Sequence, residues 1–306
     1  MTSRSVSGGW RSIDSRRSDG LRSSIGYRVV LLVVALWAFA ATTATAASKV
    51  TGSLLVKDAL TIPNRPARIE ARLIQHNLVG EIGLGGESLQ LEIAGKAVGT
   101  AMTGGDGRAY FEYTPKMRGN VTFAVTLPNS PRVEASRAAG LLAVWEHRRP
   151  ILLVESVALV EQPSELPALP FGKSGAAEIK PSPDAAEELG RMAQFYYNVM
   201  YVAAQNEGPF SAAKVGQFRQ WLGDNGFPTG FILHTTITSE GFGATLDELK
   251  KEGWTAMKAG IGRSTAFAAT LVERRMEAVL VPEPSKGEVP RKTKTAKDWK
   301  DVRKKL

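Results

Sequence analysis

The chain has 306 residues, no cysteine, 43% hydrophobic residues and a formal charge of +9. This length admits about two domains and the composition supports a packed core. The missing cysteine excludes disulfides, zinc thiolate sites, a cysteine nucleophile and lipobox acylation. The positive charge is terminal, +4 over residues 1–28 and +6 over residues 286–306, so the stretch between is nearly neutral and nucleic acid is not an expected partner.

Six arginines in residues 1–28 precede an uninterrupted apolar run, Val29–Ala41, and then the small-residue site Ala44-Thr45-Ala46. A basic start, a short apolar run and an A-x-A site describe a secretory signal peptide over residues 1–47. The rival is an uncleaved signal anchor, because Val29–Ala47 is just long enough to span a bilayer. Either way the expectation is an exported protein: periplasmic, extracellular or membrane-anchored.

Residues 48–148 repeat with a period of two. Leu89, Leu91 and Ile93 alternate with polar neighbours, as do Phe111 and Tyr113, and Val121, Phe123, Val125 and Leu127. Half-buried antiparallel strands have this pattern. Turn signals separate them, among them Gly104-Gly105-Asp106-Gly107, where Asp-Gly supplies the positive φ of a tight hairpin. The spacing predicts a β-sandwich. The stretch from Thr103 through Pro115, with Gly119-Asn120-Val121-Thr122-Phe123 after it, resembles bacterial immunoglobulin-like domains, which implies a spacer or adhesion module. His76 and His147 have no convergent partners and suggest no metal site.

From residue 149 to 284 the pattern becomes strand–helix alternation. Ile151-Leu152-Leu153-Val154 reads as a strand buried on both faces. A Pro-containing loop follows (Pro163, Pro167, Pro170), and Ser182-Pro183-Asp184 reads as a helix start with Ser182 as cap. Strands are expected at 199–203, 231–233, 256–259 and 278–281. Helices are expected after Ser211, around 246–251 and over 264–275, with Gly260-Ile261-Gly262 as a turn. This order predicts an α/β fold with a doubly wound parallel sheet, joined to an all-β domain.

The segments 149–159, 183–189, 199–204, 219–230 (Trp221-Leu222 through Gly226-Phe227-Pro228 above all) and 259–264 resemble haloacid-dehalogenase-like (HAD) phosphatases, nearest the phosphatidate phosphatase and lipin-related branch. The resemblance spans about 130 residues of this HAD-like Rossmannoid region. It implies a magnesium-dependent phosphohydrolase, with a first motif D-x-D-x-T falling on Glu155, Val157 and Leu159. Glu155 keeps a carboxylate but is one methylene longer, displacing its oxygen by about 1.5 Å. That displacement alone costs about 100-fold. Val157 cannot transfer a proton, which removes a further ~10²–10⁴-fold. The second-motif hydroxyl falls on Ala203. The third-motif lysine falls near Thr245, with Lys250 or Lys258 as substitutes. The fourth-motif metal ligand falls on Ala266 or Phe267, and Arg263 stands where an acid or amide is usual.

The resemblance therefore implies a catalytically degenerate module with no metal ligand set and no cofactor. Magnesium enters only in the alternative of a divergent phosphohydrolase, with Glu155 working beside Lys258 or Arg263. A third reading is cell-envelope adhesion or attachment. Ligands of open α/β sheets sit at the carboxyl ends of the strands. Glu155, Ser156, Ala203, Gln205, Asn206, Gly262, Arg263 and Ser264 are thus expected around one crevice, with the helix after Ser264 favouring an anionic ligand. Residues 285–306 are rich in Lys, Thr and Pro and read as a basic disordered tail, with contact to an anionic envelope surface through Trp299 as the alternative.

Overall fold

The structure is a computed structural model describing residues 48–78, 80–161, 179–205, 210–284 and 289–306. The apolar N-terminal run, the cleavage site, the three loop prolines and Asn206 lie outside the described residues. No helix among those described is long and apolar enough to cross a membrane.

Ten strands come first: β1 (Val50–Val56), β2 (Ala59–Thr61), β3 (Ala67–Asn77), β4 (Gly80–Gly83), β5 (Ser88–Ile93), β6 (Lys96–Met102), β7 (Arg108–Tyr113), β8 (Gly119–Thr126), β9 (Val133–Ala135) and β10 (Ala138–Val144). One sheet runs β4-β3-β1-β9, with β7 also on β3, and the other runs β2-β10-β8-β5-β6. The alternating residues read from sequence face inward: Leu89, Leu91, Phe111, Phe123 and Val125 share one buried cluster with Ile69, Leu73 and Leu142. Gly107 fixes the hairpin before β7. Its φ is 77°, and a Cβ there would lie 2.1 Å from the Leu73 carbonyl oxygen. Only glycine fits such a position.

The third sheet is parallel throughout, in the order β13-β12-β11-β14-β15-β16. Its strands are β11 (Ile151–Glu155), β12 (Asn198–Ala204), β13 (Phe231–Thr235), β14 (Met257–Gly262), β15 (Glu277–Leu280) and β16 (Lys294–Thr295). The helices are α1 (Ala185–Phe195), α2 (Val215–Asp224), α3 (Ser239–Lys251), α4 (Thr265–Glu273) and α5 (Trp299–Lys305). Leu189, Phe218 and Trp299 place α1, α2 and α5 on one face of the sheet. Phe242, Leu246 and Leu271 place α3 and α4 on the other. Sheet–helix layering of this kind is the doubly wound arrangement predicted from strand–helix alternation.

Three local expectations change. Ser182 is not the cap of α1, which starts after Asp184 in a left-handed conformation (φ 60°) with no side-chain cap. The Ser182 amide is already committed to the Leu159 carbonyl. The expected turn Gly260-Ile261-Gly262 is the second half of β14. These glycines serve close packing, since a Cβ on Gly260 would come within 2.4 Å of Leu271 and one on Gly262 within 2.4 Å of Phe267.

The third change is in the C-terminal tail, whose described residues 289–306 include a strand and a helix rather than being disordered. β16 extends the sheet, and α5 buries Trp299 and Val302 against it. The two residues are three apart, on one helical face, while the lysines and arginines occupy the other. Asp298 caps α5 by accepting from the Asp301 amide at 2.8 Å. Trp299 is therefore core and not a contact residue. Trp299→Ala is expected to cost about 3 kcal/mol in urea unfolding. Trp299→Phe costs less, because the indole N–H makes no hydrogen bond.

Lys49–Leu306 forms one compact unit. Ala143 and Trp145, at and just past the end of β10, belong to the same buried cluster as Ile151, Met200, Phe231 and Trp254. Trp145 meets Phe231 edge-on, with ring centroids 6.4 Å apart.

Candidate functional site

The strand order reverses beside β11: β12 and β13 lie on one side of it, β14 and β15 on the other. The crevice of an open α/β sheet opens at such a point, here between the ends of β11 and β14. β11 ends on Glu155, which is 3% exposed. Glu155 Oε2 accepts from the Arg263 amide at 2.7 Å and the Ser264 amide at 2.9 Å, and Oε1 accepts from Ser264 Oγ at 2.6 Å. Ser264 caps α4, its Oγ accepting from the Phe267 amide at 3.2 Å.

A helix N-terminus presents unpaired amides and a partial positive charge to an anion. Here the anion is the chain's own carboxylate. The extra methylene that Glu155 has over an aspartate carries its carboxylate to the start of α4. Glu155 takes the Arg263 and Ser264 amides at this helix start, and the Ser264 hydroxyl takes the Phe267 amide.

The other predicted residues gather only in part. Ser156 is buried at the start of a 3-10 turn (Ser156–Leu159) in which Val157 is exposed and Leu159 is core. Arg263 turns its guanidinium back, donating from Nη2 to the Val160 carbonyl at 2.5 Å. Burial lowers the Arg263 pKa, with Glu155 opposing. Ala203 is fully buried in β12, and Gln205 holds the next turn by backbone bonds to Thr235 and Ala212. Phe267 stacks on Phe242 at 5.2 Å, in core rather than in a site.

Lys258 does not join Glu155. It follows Met257, which pairs with Ile151 at the opposite end of β11. Four residues of strand put it about 13 Å from the crevice. Lys250 lies in the last turn of α3, and Thr245 is bonded to Thr235 Oγ1 (3.0 Å) and the Gly241 carbonyl (2.9 Å).

Magnesium requires near-octahedral oxygen ligation, usually through one or two carboxylates with waters. Both Glu155 oxygens accept hydrogen bonds from protein donors, and the nearby Phe267 offers only a phenyl ring. Among the described residues, no three His, Asp or Glu side chains are placed to hold a metal ion. The residues present do not fit the ion.

No family model matches the chain, and neither does any curated protein. Among solved structures, a D,D-heptose 1.7-bisphosphate phosphatase from B. bronchiseptica is similar to it at 15% identity and a TM-score of 0.39, covering 51% of this chain and 97% of the other. The CARDB domain of a Pyrococcus furiosus protein is similar at 18% identity and a TM-score of 0.21, over 31% of this chain and 90% of its own. A fibronectin(III)-like module of Clostridium thermocellum CbhA is similar at 11% and 0.24, over 31% and 47%.

A second polar cluster escapes sequence reading. The Asp58 side chain, between β1 and β2, is fully buried, while Arg219 comes from α2. Arg219 Nη2 lies 2.6 and 2.5 Å from the two Asp58 oxygens. Asp58 also accepts from the amides of Leu141 in β10 and Ile232 in β13, each at 2.8 Å. Burial pushes the Asp58 carboxyl up, and Arg219 with the two amides pulls it back. One carboxylate thus ties both sandwich and parallel sheet together.

Beside it, a cleft of about 570 Å³ at the carboxyl ends of β12 and β13 is lined by Lys57, Arg72, Arg108, Glu70, Gln205 and His234, among others. Its cations are paired to Glu70 and Glu81. Burial lowers the His234 pKa from 6.5 to about 4, reinforced by the Arg219 and Lys57 charges and opposed by a backbone bond to Phe210. The unfolded chain therefore binds this proton more readily than the folded one. Stability is whole above about pH 6.5 and falls as pH drops toward 4, by about 2 kcal/mol once partial exposure is allowed for. His234→Gln is expected to flatten that limb in thermal melts between about pH 7 and pH 5.

Proposed function

We propose that the chain is an exported protein whose HAD-like domain is a non-catalytic binding or structural module, locked to an immunoglobulin-like sandwich at the cell envelope. The apolar N-terminal run with its A-x-A site supports export. The motif resemblance supports the HAD-like assignment. One observation carries the non-catalytic reading: the single carboxylate left from the first motif is engaged at both oxygens by the amides and hydroxyl that open α4.

Phosphoryl transfer in this family's manner needs a carboxylate free to attack and a second to carry the proton. Here the first is held as a structural anion and Val157 replaces the second. Arg263, the nearest cation, is turned onto the Val160 carbonyl. The proposal includes no resident metal and no cofactor.

The test is phosphate release from p-nitrophenyl phosphate and from phosphatidate by the purified chain with magnesium. The expected rate is that of buffer. Release that Glu155→Gln abolishes, with the fold retained by circular dichroism, overturns the reading and favours a divergent phosphohydrolase.

A further inference from the structure

Helices α1 and α5 run side by side in the same direction. Lys300 Nζ sits 3.1 Å from Asp184 at their start, and Arg303 Nε sits 3.2 Å from Glu188 one turn further on. Both helices therefore end on the same side of the molecule. Helices of a parallel α/β sheet run against its strands, so this is the amino-terminal edge of the sheet, opposite Glu155.

What ends there is unusual for a solvent face. Phe195 and Tyr196 are 67% and 66% exposed, their ring centroids 6.3 Å apart, with Tyr197 half-buried behind them. Arg191 and Arg303 border the rings, Arg191 pairing with Glu187 and, from Nη1 at 3.1 Å, with the buried Glu188, whose Oε2 lies 3.2 Å from Arg303 Nε. Lys304 and Lys305 follow, both exposed and in no ion pair among the described residues. Arg191, Phe195, Tyr196, Tyr197 and Arg303 border a depression of about 650 Å³, with Leu306 on its rim.

We propose that the shared end of α1 and α5 is a docking face for an anionic lipid bilayer. Rings with an apolar body settle at headgroup level. Arginine and lysine stems lie along apolar surface while their heads reach phosphate. Glu187 and Glu188 balance the two arginines, so the positive charge offered to an anionic leaflet is that of Lys304 and Lys305. The pairs Lys300–Asp184 and Lys294–Glu277 leave the docking cations concentrated at the tip. This face is remote from Glu155 and stands whether or not the α/β domain is catalytic.

The experiment is hydrogen exchange on the full chain with phosphatidylglycerol-containing vesicles, with pure phosphatidylcholine vesicles, and with soluble polyphosphate. The run Val29–Ala41 is itself able to bind either vesicle, so the readout is local protection at residues 191–197 and 300–306. Protection is expected with the anionic vesicles alone. Titrating vesicles, Lys304→Glu with Lys305→Glu raises the lipid concentration needed by at least fivefold per lysine. Phe195→Ser with Tyr196→Ser raises it by about tenfold or more. All four side chains are exposed, and unchanged thermal melts show that the variants are folded. Equal protection by polyphosphate overturns the proposal, assigning the face to a soluble polyanion. Protection that rises with protein concentration without lipid also overturns it, assigning the face to a second copy. No protection while the chain is vesicle-bound overturns it outright.

Discussion

Asp58→Ala is expected to destabilise the chain by about 3–5 kcal/mol, out of a total stability of about 5–15 kcal/mol. The substitution does more than remove one ion pair. It leaves the Arg219 guanidinium without its carboxylate and leaves the amides of Leu141 and Ile232 without an acceptor. Arg219 Nε has no hydrogen bond even in the intact protein, so the group has no second partner to turn to. Asp58→Asn keeps one acceptor oxygen and is milder. The double variant Asp58→Ala with Arg219→Met is expected to be less destabilised than the sum of its parts, by about 1–3 kcal/mol, because the stranded charge is gone as well. Urea unfolding of the four proteins measures this directly. A near-zero effect for Asp58→Ala shows that the sandwich and the parallel sheet are not held by this carboxylate.

Glu155→Ala carries the second large effect, about 4 kcal/mol. Three donors lose their acceptor at once and the start of α4 loses its compensating charge. Glu155→Gln keeps an oxygen for the two amides, but its amide nitrogen faces Ser264 Oγ, which already accepts from Phe267. The loss of charge assistance sets that cost at about 2 kcal/mol. Thermal melts order the series wild type, glutamine, alanine. The same series leaves phosphate release at background throughout. An essential catalytic carboxylate has the opposite signature, with lost turnover and little change, or a gain, in stability.

The parallel sheet is legible because its strands are short apolar runs. Ile151-Leu152-Leu153-Val154 and Ala278-Val279-Leu280-Val281 have no polar face to hide, and only a strand covered on both sides accommodates that. The sandwich is legible through alternation, and Phe123 or Leu91 point inward as their period requires. β14 reads too short because Gly260-Ile261-Gly262 has the composition of a turn, whereas its glycines make room for Phe267 and Leu271.

The basic tail misleads in a similar way, since nine cations between residues 286 and 306 outweigh the few apolar residues, Ala296, Trp299 and Val302, that fasten it. Trp299 and Val302 share a face, but one pair at helical spacing is a faint signal.

At the crevice, Glu155, Arg263 and Ser264 come together as strand ends dictate, while Lys258 falls at the wrong end of its strand because β14 begins one residue before it. The link between Asp58 and Arg219 spans 161 residues and leaves no local pattern. His234 stands alone in sequence, and only the packing of β13 beneath the sandwich shows that it is held neutral. Nothing in the sequence pattern marks Phe195 and Tyr196, and only the structure shows that α1 stops there with both rings in solvent.

The central claim is that Glu155 serves as the structural anion at the start of α4 rather than as a ligand for a metal or a phosphoryl group. Its most direct measurement is the unfolding midpoint of wild type and Glu155→Gln, each with and without magnesium and orthovanadate. Any ligand bound to the folded state raises the midpoint by mass action. The account predicts midpoints independent of both additives, with Glu155→Gln lower by the same amount in every condition. A wild-type midpoint that climbs with magnesium and vanadate, and fails to climb in Glu155→Gln, contradicts it.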